Sequence, residues 1–139
     1  DVMKFRVCFD AGAELVIASR NMKGARNEED VHFFRPRKWF VLGLSFLTAL
    51  FWRREGLVVW DVLHGFRGMT MEAFNRIGLR DTGISVDLEM VARAYKLGLT
   101  VAQFPTSEAG RIEGSTHFPA IKTGSRMLGY LWREIWRRD

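Results

Sequence analysis

Arginines and aspartates set beside glycines mark the positions where this chain could do chemistry. Asp61, Gly65, Phe66 and Arg67 form a D-x-x-x-G-F-R run. About 40 residues later Arg111, Gly114 and Ser115 form R-x-x-G-S. Arg20 closes Glu14-Leu15-Val16-Ile17-Ala18-Ser19-Arg20, an apolar strand pattern ending in Ser-Arg. A guanidinium is always charged and binds phosphate through two N–H groups at once. An arginine just past a buried strand stands where α/β folds commonly place binding groups. Each feature also has a plainer reading: a surface arginine at a strand end, or a turn glycine, a core phenylalanine and a solvated arginine. Asp87 and Glu89 form a further carboxylate pair. Helical residues i and i+2 point apart, so these two cannot hold one metal ion symmetrically. Their plainer reading is helix solubility with a Glu89–Arg93 pair at i,i+4. The histidines, His32, His64 and His117, are scattered and no metal is assigned to them. No zinc spacing, phosphate-binding glycine loop or Ser-His-Asp pattern is present.

Several elements must position these residues. Asp1 to Phe9 reads as a helix with Val2, Phe5 and Phe9 on one face and Asp1 as its cap, ended by Ala11-Gly12. Leu15 to Ala18 reads as a buried parallel strand. Asn21 to Lys38 is polar and aperiodic, which predicts a long loop of the kind that often serves as a lid. Trp39 to Trp52 is apolar almost all round. As a helix it is roughly 21 Å long, too short for a bilayer core of about 30 Å, so it is either buried or interfacial. Leu57 to Trp60 suggests a short strand. Thr70 caps a helix to Ile77, and Ser85 caps another over Val86–Leu97 that Gly98 closes. Leu99 to Phe104 reads as a strand stopped by Pro105. Glu108 to Ser115 reads as extended loop. Ala120 to Arg138 reads as a final helix with a Leu128, Leu131, Ile135 stripe opposite arginines. The alternation indicates an α/β layer with some parallel pairing.

Composition sets the outer limits. At 139 residues with 47% hydrophobic residues, the chain is at most one domain and has enough apolar material for a core. A single cysteine, Cys8, excludes an internal disulfide and a cysteine-rich zinc site. The net charge of +5 and pI near 9.9 favour anionic partners: phosphates, anionic lipid or nucleic acid. Trp132 and Trp136 share the last helix with Arg126, Arg133, Arg137 and Arg138, a mixture suited to a membrane–water interface or to a packed helix with exposed arginines. The opening at Asp1, without Met or targeting sequence, fits an excised segment.

The Ser-Arg strand end, D-x-x-x-G-F-R and R-x-x-G-S, in that order and spacing, resemble the second half of a family 2 glycosyltransferase. The subgroup it is most similar to transfers a sugar from a nucleotide to a polyprenyl (dolichyl-type) phosphate. The resemblance covers nearly the whole chain. It implies the C-terminal part of an A-type, nucleotide-diphospho-sugar transferase fold, with an incomplete mixed sheet and flanking helices. Residues 1–139 would be a single partial domain, the acceptor-side half, with the donor-binding half upstream of Asp1. Such a fragment is expected to be silent alone. An open half-sheet would also expose a strand edge and apolar surface, which predicts self-association.

The resemblance further implies roles. Arg20, Arg67 and Arg111, with Ser115, would bind the acceptor phosphate, and Asp61 would help shape the site. Asp87 and Glu89 would lie on the acidic helix at its edge, where relatives often carry another carboxylate in place of Ser85. After Ser115 the chain reads Thr116-His117, where relatives often have Lys or Asn. A divalent metal, Mg or Mn, is expected on ligands mostly outside this chain. Nucleotide sugar, polyprenyl phosphate and a membrane surface are the expected partners, without nucleic acid, at the inner, cytoplasmic face of the membrane. A phosphate acceptor is already ionised near neutral pH and needs no general base, whereas a hydroxyl acceptor would need one, for which Asp87 is the candidate. The alternatives are that hydroxyl-acceptor enzyme, or a basic binding module for anionic membrane or nucleic acid.

Overall fold

Leu15–Ser19 (β1) is buried along its whole length and organises everything else. In the computed structural model, which describes residues 1–26, 36–53, 57–107 and 120–137, the chain order is α1 (Val2–Asp10), β1, α2 (Pro36–Trp52), β2 (Arg67–Met69), α3 (Met71–Ile77), α4 (Val86–Leu97), β3 (Val101–Pro105) and α5 (Ala120–Trp136). The described sheet has the order β2-β1-β3. β1 runs parallel to β3, with Leu15 opposite Val101 and Ser19 opposite Pro105. It runs antiparallel to β2, with Leu15 opposite Met69 and Ile17 opposite Arg67. The architecture is therefore a mixed sheet with flanking helices, compatible with an A-type glycosyltransferase fold.

A strand buried on both faces carries apolar residues continuously, and each face of β1 serves its own core. Leu15 and Ile17 pack in a large cluster with Leu44 of α2, Ile77 of α3, Leu88 of α4 and Met127 of α5. Val16 and Ala18 pack with Phe104 against Phe5 and Phe9 of α1. Phe5 meets Phe66 and Phe104 edge-on, each at 4.9 Å between centroids. Gly68 permits this closeness, since a Cβ there would stand 3.2 Å from Phe9 Cζ.

Local signals act largely as the chain suggests. Thr70 Oγ1 accepts from Ala73 N and starts α3. Gly98, left-handed at φ 65°, closes α4. Other expectations change. Asp1 precedes α1 without capping it by its side chain, because its carboxylate binds Lys4 Nζ and Thr106 Oγ1 instead. The loop expected over Asn21 to Lys38 is shorter at its far end: Pro36 opens α2, a position suited to a residue with no N–H to offer. Residues 27–35 lie outside the described residues, as does the Glu108 to Ser115 segment. Leu57 to Trp60 is not a strand. Tyr95 Oη accepts from Val59 N, and the Gln103 amide bonds Trp60 N and Val58 O, so side chains satisfy this backbone.

α2 buries Val41, Leu44 and Ala49 while Trp39, Phe46 and Leu50 face outward. The buried face of α5 keeps Leu131 of the expected stripe and is otherwise displaced from it. Met127, Tyr130, Leu131 and Glu134 are buried, and Leu128 and Ile135 are exposed. Glu134 can sit inside because Lys96 Nζ lies 2.7 Å and Arg137 Nη1 3.2 Å from its carboxylate. No described helix is long and apolar enough to cross a membrane.

Candidate functional site at the end of the central strand

The chain leaves β1 at Ser19, and the next residue, Arg20, locks onto the turn before β2. Asp61 is fully buried and accepts from Arg20 three times: from the backbone N at 3.1 Å, Nε at 2.8 Å and Nη2 at 3.1 Å. The Arg20 side chain is 14% exposed. Asn21 Nδ2 adds a bond to Trp60 O. A buried carboxylate must be paired, and this one is held by a two-pronged guanidinium contact and a backbone amide.

Arg67 sits deeper, at 5% exposure. Its Nε and Nη2 donate to His64 O at 2.9 and 2.6 Å, Nη2 also reaches Val62 O, and Nη1 donates to Asp87 O at 2.9 Å. Asp87 Oδ1 lies 3.5 Å from Nε. Arg67 thus ties the 62–64 turn to the start of α4. The resemblance turns it toward a phosphate; in the structure its N–H groups end on carbonyl oxygens. Burial pushes its pKa down, opposed by Asp87 and Asp61, while Arg20 adds to the lowering.

Asp87 projects from the first turn of α4 toward this turn, and a Cβ added to Gly65 would stand 3.9 Å from Oδ2. Burial raises its pKa above the ordinary carboxylate value. Arg67 and His64 pull it down, and Asp61 pushes it up further. Glu89 points elsewhere, as i and i+2 on a helix must. It is fully buried, accepts from Arg80 N and Asp81 N, and lies 3.7 Å from Arg137 Nη1. It is a structural brace between α4 and the chain before it, away from the Asp87 cluster.

The structure therefore brings together Arg20, Asp61, Arg67 and Asp87 at one end of the sheet, and leaves Glu89 outside. Arg111, Ser115 and His117 lie outside the described residues. The described chain reaches Ser107 at this same end, where Thr106 N bonds Ser19 O and Ser107 pairs with Arg26. One site residue escaped the sequence reasoning. His64 Nδ1 lies 2.5 Å from Ala18 O, which ties the ring to the end of β1. Its place inside D-x-x-x-G-F-R, directly before Gly65, was the available signal. Among the described residues no group of three or more His, Cys, Asp or Glu side chains could hold a metal ion.

What this arrangement can do is hold an anion against paired arginines or exchange a proton through Asp87. No family model matches the chain, and no solved structure matches it. It is similar to Glycosyltransferase AglJ of Haloferax volcanii, with 32% identity over 79 residues, covering 56% of this chain and 25% of the relative. The chain spans about a quarter of that relative's length. The similarity is distant and confined to part of that glycosyltransferase.

Proposed function

We propose that this chain is the acceptor-side part of an inverting family 2 glycosyltransferase that moves a hexose from a nucleotide sugar to a polyprenyl (dolichyl-type) phosphate. The observation that carries the reading is the Arg20–Asp61 clasp immediately after β1, beside Arg67 and Asp87, in a chain similar to a glycosyltransferase. An acceptor phosphate oxygen attacks the anomeric carbon. The bond from that carbon to the donor diphosphate breaks, and the nucleoside diphosphate leaves with the electron pair. Arg20 and Arg111, with Ser115, bind the acceptor phosphate. Arg67 supplies charge from behind and positions the turn. A divalent metal, Mg or Mn, would serve the donor diphosphate on ligands outside the described residues, neutralising its charge.

A lipid-linked acceptor suits the outer surface. α5 turns Trp132 and Trp136 outward, 64% and 70% exposed, beside exposed Arg126 and Arg133. α2 turns Trp39, Phe46 and Leu50 outward. Apolar ridges flanked by cations fit a peripheral position on an anionic membrane, here assigned to its cytoplasmic face.

A hydroxyl acceptor is the second reading, favoured by the half-buried Asp87 with its raised pKa. Asp87→Asn in the full-length enzyme separates the two: retained transfer supports the phosphate acceptor, and loss of all transfer supports a base. Arg20→Lys keeps a charge without the two-pronged contact, and Arg20→Ala removes both. On the phosphate reading Arg20→Ala lowers transfer by about 100-fold or more, and an unchanged rate refutes its role.

A further inference from the structure

The carboxylate that clasps Arg20 is carried by backbone that belongs to no strand, so side chains must fix its place. Residues 58–60 lead into Asp61, and two elements hold them. Gln103 of β3 donates from Nε2 to Val58 O at 2.6 Å, and its Oε1 accepts from Trp60 N at 3.2 Å. Tyr95 Oη of α4 accepts from Val59 N at 2.8 Å. Bonding the carbonyl before Val59 and the amide after it is how a neighbouring strand in a parallel ladder would hold that residue. The Gln103 side chain thus stands in for a strand. One orientation of its amide serves both bonds, because Val58 O can only accept and Trp60 N can only donate.

The far side of Asp61 is held from the same row of the sheet. Gln103 lies opposite Ile17 of β1, and Ile17 lies opposite Arg67 of β2. Residues directly opposite one another project from the same face, so the two polar side chains flank the fully buried Ile17. Arg67 donates to Val62 O and His64 O. The backbone is therefore gripped at 58–60 by β3 and at 62–64 by β2. Asp61 stands between the two grips and takes its three bonds from Arg20.

We propose that Gln103 is a positioning residue for anion binding, its side-chain amide setting the place of Asp61 and, through Asp61, the aim of the Arg20 guanidinium. This rests on the phosphate-acceptor reading and adds to it a residue that acts through the backbone, without touching the phosphate. A guanidinium displaced by about 1 Å loses much of its value to a bound group. Gln103 is half-buried, outside both apolar clusters, so replacing it leaves the core intact. Gln103→Met keeps the length of the side chain and loses both bonds. Gln103→Glu keeps the bond from Trp60 N and sets a carboxylate against Val58 O.

The test is calorimetric titration of the full-length protein with geranyl monophosphate at about pH 8, where the probe is a dianion. Gln103→Met is expected to bind about tenfold more weakly than the wild type, with a thermal melt close to the wild type's. Arg20→Lys keeps a charge and gives up the two-pronged contact with Asp61. In that background Gln103→Met is expected to add less than about a twofold loss, because the clasp it acts through is already gone. A tenfold loss that repeats in Arg20→Lys marks a general structural effect and overturns the proposal, as does unchanged binding in Gln103→Met. Should Gln103→Met fail to fold, Gln103→Glu decides by the same two comparisons, with weaker binding expected and unchanged binding overturning the proposal. Absence of any binding by the wild type overturns the phosphate reading and this inference together, whereas wild-type binding that neither Gln103 variant alters overturns this inference alone.

Discussion

Replacing Asp61 with alanine removes the two-pronged contact of the Arg20 guanidinium, whose side chain is only 14% exposed. Asp61 is fully buried and takes three bonds from Arg20, at 2.8 to 3.1 Å. Breaking one side of a buried ion pair costs about 3–5 kcal/mol. That is a large share of a typical domain stability of about 5–15 kcal/mol. With a urea dependence of about 2 kcal/mol per molar, the unfolding midpoint falls by roughly 2 M. Asp10→Ala provides the comparison. Its partner Arg6 lies 3.7 Å away and both side chains are about three-quarters exposed, so the loss stays under about 1 kcal/mol. Chemical denaturation of the protein and both variants reads the difference directly. The double change Arg20→Ala with Asp61→Ala regains part of the loss, because both members of the pair leave together. If Asp61→Ala matches Asp10→Ala to within about 1 kcal/mol, the clasp does not anchor this end of the sheet and the site's assembly needs another account.

Gly68→Ala brings a methyl to 3.2 Å from Phe9 and 3.4 Å from Phe5, both packed against the smaller core, and is expected to destabilise by about 1 kcal/mol in the same assay. Asp87 has a folded-state pKa above its ordinary value because of burial. As pH rises from the ordinary carboxylate range through that raised pKa, the folded state holds its proton longer than the unfolded chain and stability falls. Asp87→Asn should therefore be the more stable protein at neutral pH, with the advantage fading in acid; thermal melts from pH 3 to 8 check the sign. Alanine at both Trp132 and Trp136 should reduce flotation with vesicles containing anionic lipid, and flotation that ignores both the tryptophans and the anionic lipid would remove the membrane reading of α5.

Much of the frame is written in short-range chemistry. The apolar run of β1, the Thr70 cap and the Gly98 stop each act over a few residues, and each stands in the structure. The misread parts depend on partners distant in sequence. Leu57 to Trp60 has strand-like residues, yet Tyr95 and Gln103 supply its hydrogen bonds from 36 to 45 positions away. The buried face of α5 includes Glu134, which the cations of Lys96, Arg137 and Arg93 make tolerable there, so an apolar stripe alone finds Leu131 but misses the centre of the face. At the site, spacing brought attention to Arg20, Asp61 and Arg67. That Arg67 would spend its N–H groups on three carbonyls follows from how tightly the 62–64 turn wraps it. His64 passed as a scattered histidine because its partner, Ala18 O, is a backbone atom 46 positions earlier, which no side-chain pattern reveals.

The most direct test of the central claim is to offer the full-length enzyme a panel of nucleotide sugars with two acceptors of the same chain length, a polyprenyl phosphate and the corresponding polyprenol, and to identify the glycosylated lipid by mass spectrometry. The account predicts a sugar-phosphate-lipid product from the polyprenyl phosphate, none from the alcohol, and a sharp loss in Arg20→Ala. Transfer to the alcohol, or to neither lipid with every donor, would contradict it.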